Sequence, residues 1–391
     1  MKGGLRKQKG ICPKISLHTF ERGNFVKLKS LTGIITIAFT AIFIASSFTS
    51  SSVQGKVNEN QKLQFNSDGK YKVVQFNDIQ DDEDIDPRTI KLMNTVLDKE
   101  KPDLAILNGD MLNADMETAA EVRQAIDNIA KPMEDRGIHW AVTFGNHDED
   151  HTPKTGMSEE DMLEVYMSYE HNVNKPGPKG ITGTGNTNLV IHNSKNTEPA
   201  FNIWLFDSGR YAPKEIAGQD FEGYQTWDWL RNDQVQWYYK TSEKLEQTTG
   251  RKVPSLVFMH IPLPEFENMW YASPSKRTHE SHQKAVEKHS IIGEKNECVC
   301  TGPFNSGMFA AMLERGDVKG VFSGHDHINT YVGDYYGIKL GYAGNTGFGT
   351  YGLGGGENNR LRGARVFNLD ESKEDVLVET KMVFAKDYGI Q

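Results

Sequence analysis

Five short apolar runs, each of strand length, stop at an aspartate, an asparagine or a histidine. Residues 72–79 carry Asp78 near their end, 104–108 run into Gly109-Asp110, and 140–144 run into Gly145-Asn146-His147. Residues 253–259 stop at His260, and 318–322 stop at Gly324-His325. A single polar residue after a strand is usually a turn former or a cap. Five of them, all of metal-ligand type, are too many for turns alone and point to one shared site. In open α/β sheets, ligands sit in the crevice beyond the carboxyl ends of the strands.

Helical patterns alternate with these strands. Asp86-Pro87 is an N-cap followed by proline at the first helical position, leading into 88–99. Residues 117–130, 232–249 and 308–315 repeat apolar side chains at helical spacing. Further strands are expected at 189–192 and 201–206, then as β-rich runs with Gly-rich turns up to Val383. No internal repeat is visible. The fold class is α/β.

Charge divides the chain into unlike parts. The formal net charge is −9 over 391 residues, but residues 1–30 carry eight Lys/Arg and one acid, and 31–55 carry no charge at all. The remainder is therefore at −16, a poor basis for binding nucleic acid through a broad basic surface. A basic segment, an apolar run and small residues describe a secretory signal. Cleavage after Gly55 suits the pattern, and 45–47 is a second option. The rival reading is an uncleaved anchor, since the run is marginal against the ~20 residues a span needs. Export to the outside or tethering at the cell surface follows, with membrane contact only if the leader stays. Residues 1–55 are set aside as leader, 56–70 read as a polar linker, and 71–391 as one domain. Cys298 and Cys300, spaced C-x-C, read as a loop pair without catalytic role; the fold needs no disulfide framework.

Asp, Asn and His together form a mixed oxygen/nitrogen donor set suited to Mn, Zn or Fe. A carboxylate such as that of Asp110 can bridge two ions. His325 and His327 flank Asp326, and in an extended segment they share one side, so each can serve a different ion. Two divalent ions about 3.5–4 Å apart act as a clamp for in-line displacement at phosphorus. They also make an acidic body locally attractive to phosphate.

Asp78, Gly109-Asp110, Gly145-Asn146-His147-Asp148, Met259-His260 and Gly324-His325-Asp326-His327 resemble the five ordered blocks of the calcineurin-like metallophosphoesterases. Phe206-Asp207-Ser208-Gly209, His260-Ile261-Pro262-Leu263-Pro264-Glu265 and Asn305-Ser306-Gly307 are similar to the branch that holds plant purple-acid-phosphatase-like proteins and a yeast cell-cycle phosphoesterase. The resemblance implies a four-layer α/β/β/α sandwich and two divalent metal ions. It implies hydrolysis of phosphate esters by in-line attack of a metal-bound hydroxide. By the same resemblance one ion takes Asp110, Asn146, His260 and His325, and the other takes Asp78, Asp110 and His327. Asp110 and His147 become the catalytic pair, with His147 meeting the leaving-group oxygen. The partner is a small-molecule or peptide phosphoester.

Two departures stand out. The family commonly reads D-x-H in the first block, where this chain has Asp78-Ile79-Gln80. The iron-binding tyrosine of purple acid phosphatases falls on Asn113. Gln80 and Asn113 are then at most weak ligands, and the first ion should be exchangeable. Diester cleavage, and a degenerate fold that binds phosphorylated ligands without turnover, are the alternatives.

His279, His282 and His289 read as solvated surface, and Trp227, Trp229, Trp237, Tyr238 and Tyr239 as core and a helix face. The Gly-rich run 344–356, followed by Arg360, Arg362 and Arg365, reads as a turn, with an anion-binding loop as the sharper alternative.

Overall fold

The structure is a computed structural model that describes residues 62–224, 227–354 and 360–390. The leader at 1–55, and with it the choice between cleaved signal and anchor, lies outside the described residues. Among the described residues no helix is long and apolar enough to cross a membrane.

The first half of the chain forms β1 (Lys70–Phe76), α1 (Pro87–Glu100), β2 (Leu104–Asn108), α2 (Ala119–Glu134) and β3 (His139–Thr143). Two short helices follow, α3 (Thr152–Thr155) and α4 (Glu159–Met167), then β4 (Thr187–His192) and β5 (Pro199–Phe206). A small hairpin, β6 (Glu215–Ile216) and β7 (Gln219–Asp220), precedes α5 (Asn232–Thr249) and β8 (Ser255–Met259). Next come α6 (Glu265–Tyr271), α7 (His279–His289), α8 (Met308–Arg315) and β9 (Val318–Ser323). The chain closes with β10 (Val332–Tyr335), β11 (Ile338–Tyr342), β12 (Gly363–Asp370) and β13 (Leu377–Phe384).

Local chemistry starts and stops these helices. The Asp86 side chain accepts the Arg88 N–H with Pro87 inside the first turn, and α1 then buries Leu92, Met93, Val96 and Leu97 on one stripe. Each such side chain contributes about 1.5–3 kcal/mol on burial. Capping boxes at Thr118/Glu121 and Ser158/Asp161 open α2 and α4. The nine residues of α4 are too short for periodicity alone to reveal.

Beside the β6-β7 hairpin, two large sheets form among the described residues, in the orders β13-β12-β1-β2-β3 and β10-β11-β9-β8-β5-β4. Strand alternation sorts their side chains into three apolar layers. Val74, Phe76, Ala105, Leu107 and Val142 face α1, α2 and α4. Val73, Leu104, Ile106, Ile203, Leu205, Leu256 and Phe258 fill the space between the sheets. Trp204, Phe206, Val257, Met259 and Val321 join the core of the other helical layer. The order is helices, sheet, sheet, helices, as the resemblance implies.

The expected linker is shorter than 56–70. Leu63 and Phe65 are buried between the sheets, and Phe65 N donates to His192 O while His192 N donates to Leu63 O, both at 2.9 Å. Two apolar residues two apart made a strand-like edge that polar neighbours masked in the sequence.

Candidate metal centre

β1, β2 and β3 are parallel to one another, and so are β5, β8, β9 and β11. Their carboxyl ends therefore meet at one edge of the sandwich. Asp78 and Asp110 each follow their strand by two residues, Asn146 by three, His260 directly, and His325 by two. The backbone turns sharply there. Asp78, Gln80, Asp110 and His325 have φ of 52°, 44°, 54° and 73°, a region that non-glycine residues occupy at a cost of order 1–3 kcal/mol and chiefly at functional sites. Close approach also explains the preceding glycines. A Cβ on Gly109 would lie 2.6 Å from His260 Nδ1, and one on Gly145 would lie 2.3 Å from Asp110 Oδ1.

Two overlapping groups of buried side chains can each hold an ion: Asp110, His260 and His325, and Asp78, Asp110 and His327. Asp110 belongs to both, which is the position of a bridging carboxylate. His260 Nε2 lies 3.0 Å from Asp110 Oδ2 and 3.8 Å from Asp78 Oδ1, and His327 Nε2 lies 3.3 Å from the same Asp78 oxygen. The donor set fits the implied ions on a separate observation. Asn146 Oδ1 and His325 Nε2 are buried without a hydrogen-bond partner, and buried polar atoms are seldom left so. Burial pushes His260 down, but Asp110 and Asp78 outweigh it and hold its imidazole up at about 10. The carboxylates thus demand a positive charge between them. Burial drives His325 the other way, well below its ordinary value, as suits a neutral ligand.

A surrounding shell fixes these groups. His260 Nδ1 meets Asn108 O at 3.0 Å, leaving Nε2 for an ion. The Asp148 carboxylate accepts the N–H groups of Asp110, Met111, Leu112 and Gly145 at 2.8–3.1 Å. Asp326 accepts from the Tyr342 hydroxyl at 2.6 Å and from Cys300 N at 3.3 Å. Cys300 itself is a half-buried free thiol.

His147 is set apart from the ligand groups. Its N–H donates to Asp110 Oδ1 at 2.8 Å, and its ring Nδ1 lies 2.6 Å from Asp150 Oδ2. Arg210 grips the other Asp150 oxygen at 2.7 Å, Glu149 at 3.1 Å and the carbonyl of Asn146 at 3.1 Å. Burial lowers the His147 pKa, but Asp110 and Asp150 together carry it above its ordinary value.

The family model described as calcineurin-like phosphoesterase matches residues 71–329. The chain belongs to the calcineurin-like phosphoesterase family. It is 31% identical over 324 residues to "Probable inactive purple acid phosphatase 14" of Arabidopsis thaliana, covering 75% of this chain and 74% of that one. Similarity to "Probable inactive purple acid phosphatase 29" of the same plant is 28%, over 81% of each chain. "Phosphatase DCR2" of Saccharomyces cerevisiae is 30% identical over 69% of this chain but only 46% of its own length.

Within this calcineurin-like phosphoesterase, several sequence expectations need correction. Gln80 is engaged elsewhere: its Oε1 accepts from Thr350 Oγ1 and its Nε2 donates to Asp110 Oδ2 at 3.2 Å. Asn113 closes its own turn, its Oδ1 accepting Asp115 N at 2.8 Å. Each side-chain oxygen already accepts one hydrogen bond. His289 is buried with Nδ1 2.8 Å from Asp334 O, and His282 stacks on Trp270 at 3.9 Å, so only His279 of that trio is surface. Trp237 and Tyr238 do join the core, but Trp227 stands against His325 with centroids 4.5 Å apart.

The arginines that follow the Gly-rich run do not form an anion loop. Arg365 is buried and donates to the carbonyls of Tyr342 and Thr330 at 2.8 and 2.9 Å, Arg362 donates to Thr350 O at 2.7 Å, and Arg360 pairs with Glu294 at 2.6 Å. The run itself is a wedge: a Cβ on Gly347 would lie 1.9 Å from Ile79 O. Residues 355–359 lie outside the described residues. Sequence reasoning quoted Asp148 in its block without giving it a role, and missed Asp150 and Arg210. Asp150 had a signal, three residues after His147. Arg210 had none, because contacts some 60 residues away define its role.

Proposed function

We propose that this chain hydrolyses phosphate esters with the help of two divalent ions. One ion is held by Asp110, Asn146, His260 and His325, and the other by Asp78, Asp110 and His327. The observation that carries this reading is that Asp110 belongs to both buried ligand-type groups, with His260 and His325 in one and Asp78 and His327 in the other, while His325 Nε2 is buried without a hydrogen-bond partner. When bound, such a pair clamps the phosphoryl oxygens and makes a nucleophile of water at neutral pH. The protein supplies the rest. Asp150, braced by Arg210, holds His147 by Nδ1 and leaves Nε2 to give its proton to the departing ester oxygen. Asp148 holds the backbone loop that carries Asp110, and Asn108 orients the His260 ring.

A second reading is a degenerate fold that binds phosphorylated ligands without turnover. Gln80, in place of the first-block histidine and with its carbonyl already engaged, favours it. The two separate on one experiment. Chelator-treated protein is titrated with Mn²⁺ on p-nitrophenyl phosphate and its bis-ester, beside Asp110→Asn and His147→Ala. Turnover that vanishes in Asp110→Asn supports the first reading, and the preferred ester assigns monoesterase or diesterase. Bound ions without turnover on either ester support the second. We further propose, from the basic and apolar leader, that the protein acts outside the cell or at its surface on small-molecule or peptide phosphoesters.

A further inference from the structure

Aromatic rings rim the candidate metal centre. Trp227 meets the His325 ring edge-on with centroids 4.5 Å apart. Tyr351 lies flat on the His327 ring, centroids 4.1 Å apart and planes 10° from parallel. Tyr211 meets the His147 ring edge-on at 6.4 Å and the Trp227 ring at 5.7 Å. Three rings thus touch three imidazoles gathered around Asp110. Tyr211 and Tyr351 are nevertheless 39% and 47% exposed. They are also held in place. The Tyr351 hydroxyl donates to Glu297 Oε2 at 2.8 Å, the Tyr211 hydroxyl to Asp150 Oδ2 at 3.3 Å, and the backbones of Tyr211 and Trp227 form a β-bridge. Exposed, pre-positioned aromatic faces beside a reaction centre offer area and stacking at little entropic cost.

The charges around the rim narrow the ligand further. Arg210 is shared between Glu149 and Asp150, and Arg360 is paired with Glu294. Arg362 and Arg365 are spent on backbone carbonyls. Arg210, Arg360 and Arg365 are thus not left to take a second phosphate, and the body outside the leader is at −16.

We propose that Tyr211, Trp227 and Tyr351 form a leaving-group subsite for a flat aromatic ring, so that the preferred substrates are singly phosphorylated esters of ring-bearing alcohols. This rests on the phosphoesterase reading above. In the hydrolysis a bond from phosphorus to a water oxygen forms and the ester P–O bond breaks. The leaving oxygen takes a proton, releasing the alcohol and inorganic phosphate. The ring stacks on tyrosine while that bond breaks.

Benzyl phosphate and cyclohexylmethyl phosphate test this, because their alcohols have similar acidity and size but only one ring is flat. With Mn²⁺-loaded full-length protein, kcat/KM is expected to favour the benzyl ester about tenfold, the combined effect of two ring contacts. The double variant Tyr211→Leu/Tyr351→Leu should bring the ratio to about 1–2, while Tyr351→Phe keeps it near the parent value. Benzylphosphonate, which is not hydrolysed, should bind more tightly than cyclohexylmethylphosphonate by the same factor in calorimetry. Equal rates and equal affinities for the two rings in the parent overturn the subsite, whether or not the variants fold. A preference that survives the double variant overturns its assignment to these tyrosines. Loss of all turnover and all phosphonate binding overturns the phosphoesterase reading itself.

Discussion

The carboxylate of Asp148 accepts the backbone N–H of Asp110 at 2.9 Å, tying the loop after β3 to the loop after β2. Its two oxygens also take the N–H groups of Met111, Leu112 and Gly145. The left-handed turn at Asp110 is therefore held from outside its own loop. Asp148→Asn keeps one acceptor oxygen and leaves two of these N–H groups unpaired. The cost expected is about 2–4 kcal/mol of stability, read from urea unfolding, with a fall in turnover even where the variant stays folded. A variant as stable as the parent would show that these bonds do not hold the loop.

Removal of the ions should both inactivate and destabilise the protein. Of the six buried groups proposed as ligands, two have donor atoms without a hydrogen-bond partner, and without a cation the set repels or remains unsatisfied. Mn²⁺ at about 100 times its Kd should raise unfolding stability by ~2.7 kcal/mol per site. Chelation followed by Mn²⁺ should restore activity. Rescue by Zn²⁺ or Fe²⁺ but not by Mn²⁺ would contradict the weakened first site.

Gln80→His places an imidazole where the Gln80 amide now bonds Thr350 and Asp110. Tighter binding of the first ion is expected, by about tenfold, with a shift towards Zn²⁺ or Fe²⁺. Metal titration by calorimetry checks it. Unchanged affinity would mean that this position is outside coordination range.

Stability should depend on pH through His151. The side chain is buried with Nδ1 2.8 Å from Thr155 Oγ1, and burial, then Arg210, push its pKa down to about 4. The unfolded chain takes up this proton near pH 6.5. Between the two values the unfolded state binds more protons, so stability is lost as pH falls from about 6.5 to about 4. The full contribution is on the order of 3 kcal/mol. The stability gap between the parent and His151→Gln should shrink by that order across the window. A gap constant with pH would remove His151 as the cause.

Arg360 pairs with Glu294 through two bonds at 2.6 and 2.7 Å on the surface. Exposed pairs contribute ~0–1 kcal/mol, so Arg360→Ala should leave both melting temperature and KM for p-nitrophenyl phosphate nearly unchanged. A severalfold rise in KM would restore the anion-loop reading of the Gly-rich run.

Much of this was legible in the chain itself. Residue types at strand ends carry the five blocks, because a strand's apolar alternation and its polar terminus are local and lie within a few residues. The alternating strands and helices gave the α/β class for the same reason, and strand boundaries such as Leu104–Asn108 and helix boundaries such as Asn232–Thr249 fall where pattern and caps put them. The tertiary structure alone decided which ends meet. Asp78 and His325 touch across 247 residues, and Asn108 holds His260 across 152. It decided that Arg365 and His289 are buried, that Gln80 is engaged by Thr350, and that Trp227 and Tyr351 stand against the His325 and His327 rings. Those roles come from the packing of two sheets and from Gly-permitted close approaches. No periodicity records which distant backbone carbonyl or ring a side chain will meet.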